Sequence, residues 1–205
     1  MLELIFNAFV TLLVVIDPLG LAPLFVGITH GRPDAYRRAA AVRGTVLAAA
    51  ILFLFALVGQ GLLGALGIGF PAFRIAGGVL LFLLSLDVIF ARSSGARSAT
   101  VREEEIHPEE DISVFPLAIP LIAGPGSLTT ILLYTAGGDA LRVAAVLGVL
   151  VAVLLLALAS LLLAPRVMRV FGETGANVFS RVLGVLLAAL AVQFVLDGIR
   201  ESFAL

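Results

Sequence analysis

Six stretches of this chain stay apolar for about twenty residues or more, the length at which a helix crosses a bilayer. They cover residues 4–28, 44–66, 72–91, 113–136, 143–164 and 178–199. The loops between them are short, so residues 1–205 read as a single membrane domain with no separate soluble module. Composition agrees: 61% of residues are hydrophobic and 13% are charged, about half the charged share of soluble domains. The fold class is therefore an all-α polytopic membrane protein with six transmembrane helices.

Charge placement says more than net charge, which is only −1. The first apolar run is preceded by Glu3 rather than by basic residues, so it reads as a retained helix and not as a cleavable signal. All thirteen basic residues are arginine. Arg32, Arg37, Arg38, Arg43, Arg92, Arg97, Arg102, Arg166, Arg169 and Arg181 fall on one side of the six crossings, and Arg74, Arg142 and Arg200 on the other. The arginine-rich side is expected to be cytoplasmic, with both termini outside. The chain has no cysteine, which excludes disulfides and thiolate metal sites.

An internal repeat organises the crossings. "PLGLAP" (18–23) recurs as "PLIAGP" (120–125). Small residues four apart occur at Ala40, Gly44 and Ala48, and again at Ala144, Gly148 and Ala152, where they read as helix-packing surfaces. "RIAGGVLL" from Arg74 is echoed by "RVLGVLL" from Arg181. Three crossings per copy, residues 1–91 and 113–205 joined by the loop 92–112, place the second copy in the opposite orientation. Two inverted three-helix repeats of this type recur in secondary transporters that work by alternating access.

The first copy carries a contradiction inside its lipid-length run: an aspartate, two prolines and a glycine in "DPLGLAP". Pro18 and Pro23 each remove a helix hydrogen bond, while Asp17–Pro18 is a good N-cap and N1 pair for starting a new helix. Pro120, Gly124, Pro125 and Gly126 interrupt the fourth crossing in the same way. Irregular backbone at that depth survives only where protein covers it or where it lines a cavity, so crossings 1 and 4 are expected to be broken helices meeting near the midplane. The exposed amide end of a half-helix suits a carboxylate and the carbonyl end suits an ammonium, a proton carrier or sodium. Ser127, Thr129 and Thr130 add hydroxyls beside the second break. Asp17 reads both as a buried cap and as a functional acid, since intramembrane charge usually marks function. The expected substrate-binding set is Asp17, Pro18, Gly20, Pro23, Pro120, Gly124, Pro125, Gly126, Ser127, Thr129 and Thr130. Gln193 reads as a hydrogen-bonding link between helices, and the acidic run 103–111 as a solvated loop.

The stretches "NAFVTLLVVIDPLGLAPLF" and "FPLAIPLIAGPGSLTTILLY" resemble the two signature blocks of the MarC family of bacterial inner-membrane proteins, and the likeness runs over essentially the whole chain. The resemblance implies a multi-pass protein of the bacterial cytoplasmic membrane. It also implies transport of small neutral amino acids such as glycine and alanine, zwitterions that fit the two half-helix ends described above. The motif positions that carry it are Asp17, Pro18, Gly20, Pro23, Pro120, Gly124, Pro125 and Gly126.

Rival classes are weaker. A serine protease built on Ser127 lacks a histidine in the membrane, because His30 and His107 are both in loops. No metal cluster, P-loop or dinucleotide fingerprint is present, so no catalytic residue, no metal, no cofactor and no nucleic-acid partner is expected. A proton or a sodium ion is the candidate coupling ion, and an oligomer is compatible with the sequence. A passive channel, or an exporter of another small solute, is the alternative. It is disfavoured because crossings 2 and 5 offer no continuous polar face.

Overall fold

The computed structural model describes residues 1–90 and 111–203. Every regular element among them is helical: α1 (Leu2–Ile16), α2 (Pro18–Ile28), α3 (Asp34–Ala65), α4 (Phe70–Phe90), α5 (Pro125–Thr135), α6 (Ala140–Leu162) and α7 (Ala164–Ser202). Between α4 and α5 runs the segment Ser113–Ile122, whose turns close between residues five apart, as in the bond from the Leu117 amide to the Ile112 carbonyl. Phe115 and Ile119 are extended there, and each precedes a cis proline, Pro116 and Pro120. A proline lacks the amide that would extend an α-helix, which accounts for the irregular path. Arg92, Arg97, Arg102, His107 and most of the acidic run lie outside the described residues.

Five helical stretches are long and apolar enough to cross a membrane, Leu2–Ile28 counted as one, and six if Ser113–Ile122 and Pro125–Thr135 form one bent span. Those two parts meet at 53°. Two expected boundaries move. α3 begins ten residues before its apolar run, at Asp34, because Ala and Arg are good helix formers and an arginine near a helix end can reach water along its own stem. The stretch before the last crossing, expected as a loop, is already helical from Ala164, with Pro165 in its first turn and a break at Gly172 (φ 63°).

The interrupted first span is the centre of the molecule: 56% of its apolar 18-residue stretch is buried, against 22% of the corresponding stretches of α4 and the last crossing. Its residues Leu12, Ile16, Leu21 and Phe25 join Leu52, Leu117, Ile122, Leu150 and Val153 in one core. α4 and α7 pack on each other antiparallel along an outer layer. Leu54, Leu57, Leu83, Leu155 and Val185 stay exposed, forming the outward apolar surface that lipid covers.

The two small-residue stripes behave differently. Ala40, Gly44 and Ala48 are buried, and Gly44 admits the side chain of Leu117. Ala144, Gly148 and Ala152 are exposed instead, with open space beside Gly148. The packing face of α6 is Val146, Val149, Leu150, Val153, Leu154 and Ala157.

Candidate functional site

The interruption after α1 is a single residue. Asp17 ends α1 and starts α2 in the left-handed conformation, φ 50° and ψ 68°, where Asp is better tolerated than most residues because its short polar side chain can bond locally. Its Oδ1 accepts a hydrogen bond from the Gly20 amide at 3.0 Å, the N-cap geometry that an Asp-Pro start predicts. The carboxylate folds back over Gly20 so closely that any Cβ there would collide with it and come within 2.9 Å of Ser180 Oγ. Glycine at position 20 is thus a steric requirement.

Two serines from distant helices complete this corner. Ser180 of α7 donates to Asp17 Oδ1 at 3.2 Å, and Ser160 of α6 donates to the Pro18 carbonyl at 2.5 Å. Asp17 is 2% exposed, so its ligands are protein groups and not bulk water. Neither serine was among the expected site residues. Their one signal in the sequence is a hydroxyl inside an apolar run. Ser160→Ala leaves the Pro18 carbonyl without this donor and should cost about 1 kcal/mol, read as a lower thermal midpoint in detergent.

The second interruption lies beside the first. Val15, two residues before Asp17, borders Gly126 at the start of α5, and Thr11 of α1 shares a 3.0 Å hydrogen bond with Tyr134 near the end of α5. α5 starts at Pro125 with Gly124 extended before it, and no side chain caps it. Gly124 has no room for a Cβ because the Pro120 carbonyl occupies that position.

The three hydroxyls following this break differ in what they do. Ser127 turns back and donates to the Ile122 carbonyl at 2.7 Å, tying the two arms of the bend together. Thr129 inserts its methyl group into the space left by Gly77 of α4. Thr130 is fully buried, and its Oγ1 is the one buried side-chain polar atom among the described residues with no hydrogen-bond partner. Pro23 lies inside α2, past the interruption. Gln193 does not link helices: its amide donates to Asp197 at 2.7 Å within α7, on an exposed face. A partner one turn away on the same helix is within reach of a glutamine.

At the arginine-rich end, outside the crossings, Asp111 caps the Ser113–Ile122 segment. It accepts from the Ser113 hydroxyl at 2.6 Å and from the Ser113 amide at 3.0 Å. Those two donors, with Arg43 adding a smaller attraction against a modest burial penalty, hold its carboxyl below the usual carboxylate range. At the opposite end Arg74 pairs with Glu201 at 3.0 Å and stacks over Phe70, fastening the start of α4 to the end of α7.

These features define a multi-pass integral membrane protein with Asp17, Ser127, Ser160 and Ser180 buried at two adjacent helix interruptions. The chain belongs to the MarC family: the model for "MarC family integral membrane protein" matches residues 2–203. It is 37% identical over 205 residues to a UPF0056 membrane protein of Archaeoglobus fulgidus, covering 98% of this chain and 94% of that one. It is 31% identical over 201 residues to the UPF0056 membrane protein YhcE of Escherichia coli, covering 97% and 93%. No solved structure matches.

Proposed function

We propose that this protein is a secondary transporter of small neutral amino acids, built as two inverted three-helix repeats with broken helices at crossings 1 and 4. The observation that carries the reading is the uncapped start of α5, with the unpartnered Thr130 hydroxyl one turn further on, beside the Asp17 corner. The Gly126 and Ser127 amides and the Thr130 hydroxyl would receive a carboxylate. Asp17, or carbonyls near Gly20, would receive the ammonium or a coupling proton or sodium ion.

Element order supports the repeat. α2 and α5 are each 11 residues long and each starts at a proline, Pro18 and Pro125. The matching element starts thus pair Pro18 with Pro125, not with Pro120 as the P-L-x-x-x-P spacing suggests. Exchanging the two halves sends α3–α5 packing to α6–α2, α4–α5 to α7–α2, and the contact of α3 with Ser113–Ile122 to α6–α1, while α3–α6 and α4–α7 map onto themselves. Rocking of one half against the other is the proposed motion. The protein would sit in a bacterial cytoplasmic membrane with its arginine-rich end inside and both termini outside. Its partners would be the bilayer and a zwitterionic solute, with no catalytic chemistry.

Uptake of labelled glycine and alanine into proteoliposomes tests this directly. Accumulation above equilibrium, driven by an imposed proton or sodium gradient, is the expected result; absence of flux in folded protein removes these substrates. Thr130→Val sharpens the test. It removes a buried hydroxyl that has no partner, so it should leave the fold as stable as wild type or stabilise it by about 1 kcal/mol. The KM for uptake should rise about tenfold, the worth of a hydrogen bond to a charged group. An unchanged KM would take Thr130 out of the site.

A further inference from the structure

The arginine-rich end of the bundle holds a cleft of roughly 610 Å³ formed where α2 ends, α3 begins, and α6 passes into α7. Arg37, Arg38, Arg166 and Arg169 line it, with Asp34 as the one acid among its described lining residues, a net of three positive charges. Arg37 is partly neutralised by Asp34 at 3.4 Å. Arg38, Arg166 and Arg169 form no ion pair among the described residues. Four guanidinium groups from two distant parts of the chain therefore converge on one opening, separate from the Asp17 corner.

The other lining is apolar. Phe25 and Leu161 are almost fully buried and floor the cleft, while Leu162 and Leu163 are about 40% exposed at its side, where α6 reaches the end of its crossing (41% and 42%). A soluble anion needs only the guanidinium groups. A phospholipid needs both parts: planar donors for the phosphate oxygens and an apolar flank continuous with the hydrocarbon for its chains. We propose that this cleft is a binding site for an anionic phospholipid, with the headgroup phosphate among Arg38, Arg166 and Arg169 and an acyl chain along Leu162 and Leu163. Basic pockets between helices at a membrane face are suited to such headgroups. The site is independent of transport, and it would fasten the α2–α3 turn to the α6–α7 turn through one lipid.

The experiment compares thermal midpoints of the full chain in vesicles of phosphatidylcholine alone and of phosphatidylcholine with phosphatidylglycerol, together with competition for retained lipid after delipidation. Phosphatidylglycerol is expected to raise the midpoint in wild type and to be retained over phosphatidylcholine. Apparent affinity should fall about fivefold for each arginine removed, the effect of about 1 kcal/mol per basic residue at a membrane surface. Arg38→Gln/Arg166→Gln/Arg169→Gln should lose the difference between the two vesicles. Arg169→Gln alone, at an exposed position that carries no structural bond in the described residues, gives the intermediate value if the triple variant does not fold. Equal midpoints in both vesicles for wild type would overturn the proposal. An equal rise from inorganic phosphate in phosphatidylcholine vesicles would also overturn it, by making the site one for soluble phosphate.

Discussion

Gly78→Val is expected to destabilise the folded bundle strongly. A Cβ at this position would come within 2.7 Å of the Ala191 carbonyl oxygen and 3.0 Å of the Val195 amide nitrogen, both backbone atoms of α7. Side-chain tips can rotate away from such an intrusion; helix backbone cannot, so α4 and α7 must separate along their shared face. Overpacking of this kind costs about 3 kcal/mol, far more than the roughly 1 kcal/mol that replacing a helix glycine can return in propensity. Gly61→Ala is the matched control, because α3 leaves open space there, and it should be neutral or mildly stabilising. The check is the monodisperse fraction recovered from detergent and its thermal midpoint. Equal midpoints for Gly78→Val and wild type would show that α4 and α7 do not pack this closely in the membrane.

Substitution of Asp17 should split by residue type. Asn keeps an oxygen acceptor for the Gly20 amide and for Ser180, and it tolerates the left-handed backbone, so Asp17→Asn should fold within about 1 kcal/mol of wild type. Ala keeps neither property. It loses the cap, about 1 kcal/mol, keeps the left-handed backbone without the local side-chain bond that makes Asp tolerable there, about 1 kcal/mol more, and strands the Ser180 hydroxyl, about 1 kcal/mol again. Asp17→Ala should therefore fall about 3 kcal/mol below wild type. If Asn and Ala prove equally stable, the cap is not what holds the corner. Gradient-driven uptake separates structure from function: Asp17→Asn should fold and lose transport, and full retention would confine Asp17 to capping.

Much of this was legible in residue order. An Asp-Pro pair within an apolar run has few uses besides starting a helix, and Asp17 does that. The Gly-Pro-Gly stretch marks the start of α5 by the same logic. The likeness to the MarC family was carried by those two blocks, and it extends over residues 2–203. The start of α3 was not legible, because arginines that end a hydropathy run need not end a helix.

What the order of residues determined by itself was an all-helical chain with five or six lipid-length segments, and the helix starts at Pro18 and Pro125. Run length and proline chemistry act locally and need no partner to be expressed. What only the tertiary structure decided was which way each helix faces. Ala144, Gly148 and Ala152 look like a packing seam and point outward; Ser160 and Ser180 look incidental and close on Pro18 and Asp17. In water the polar side of a helix announces its surface. In a bilayer the solvent is as apolar as the core, so hydropathy is the same on both faces, and direction is set by the fit of one helix against another.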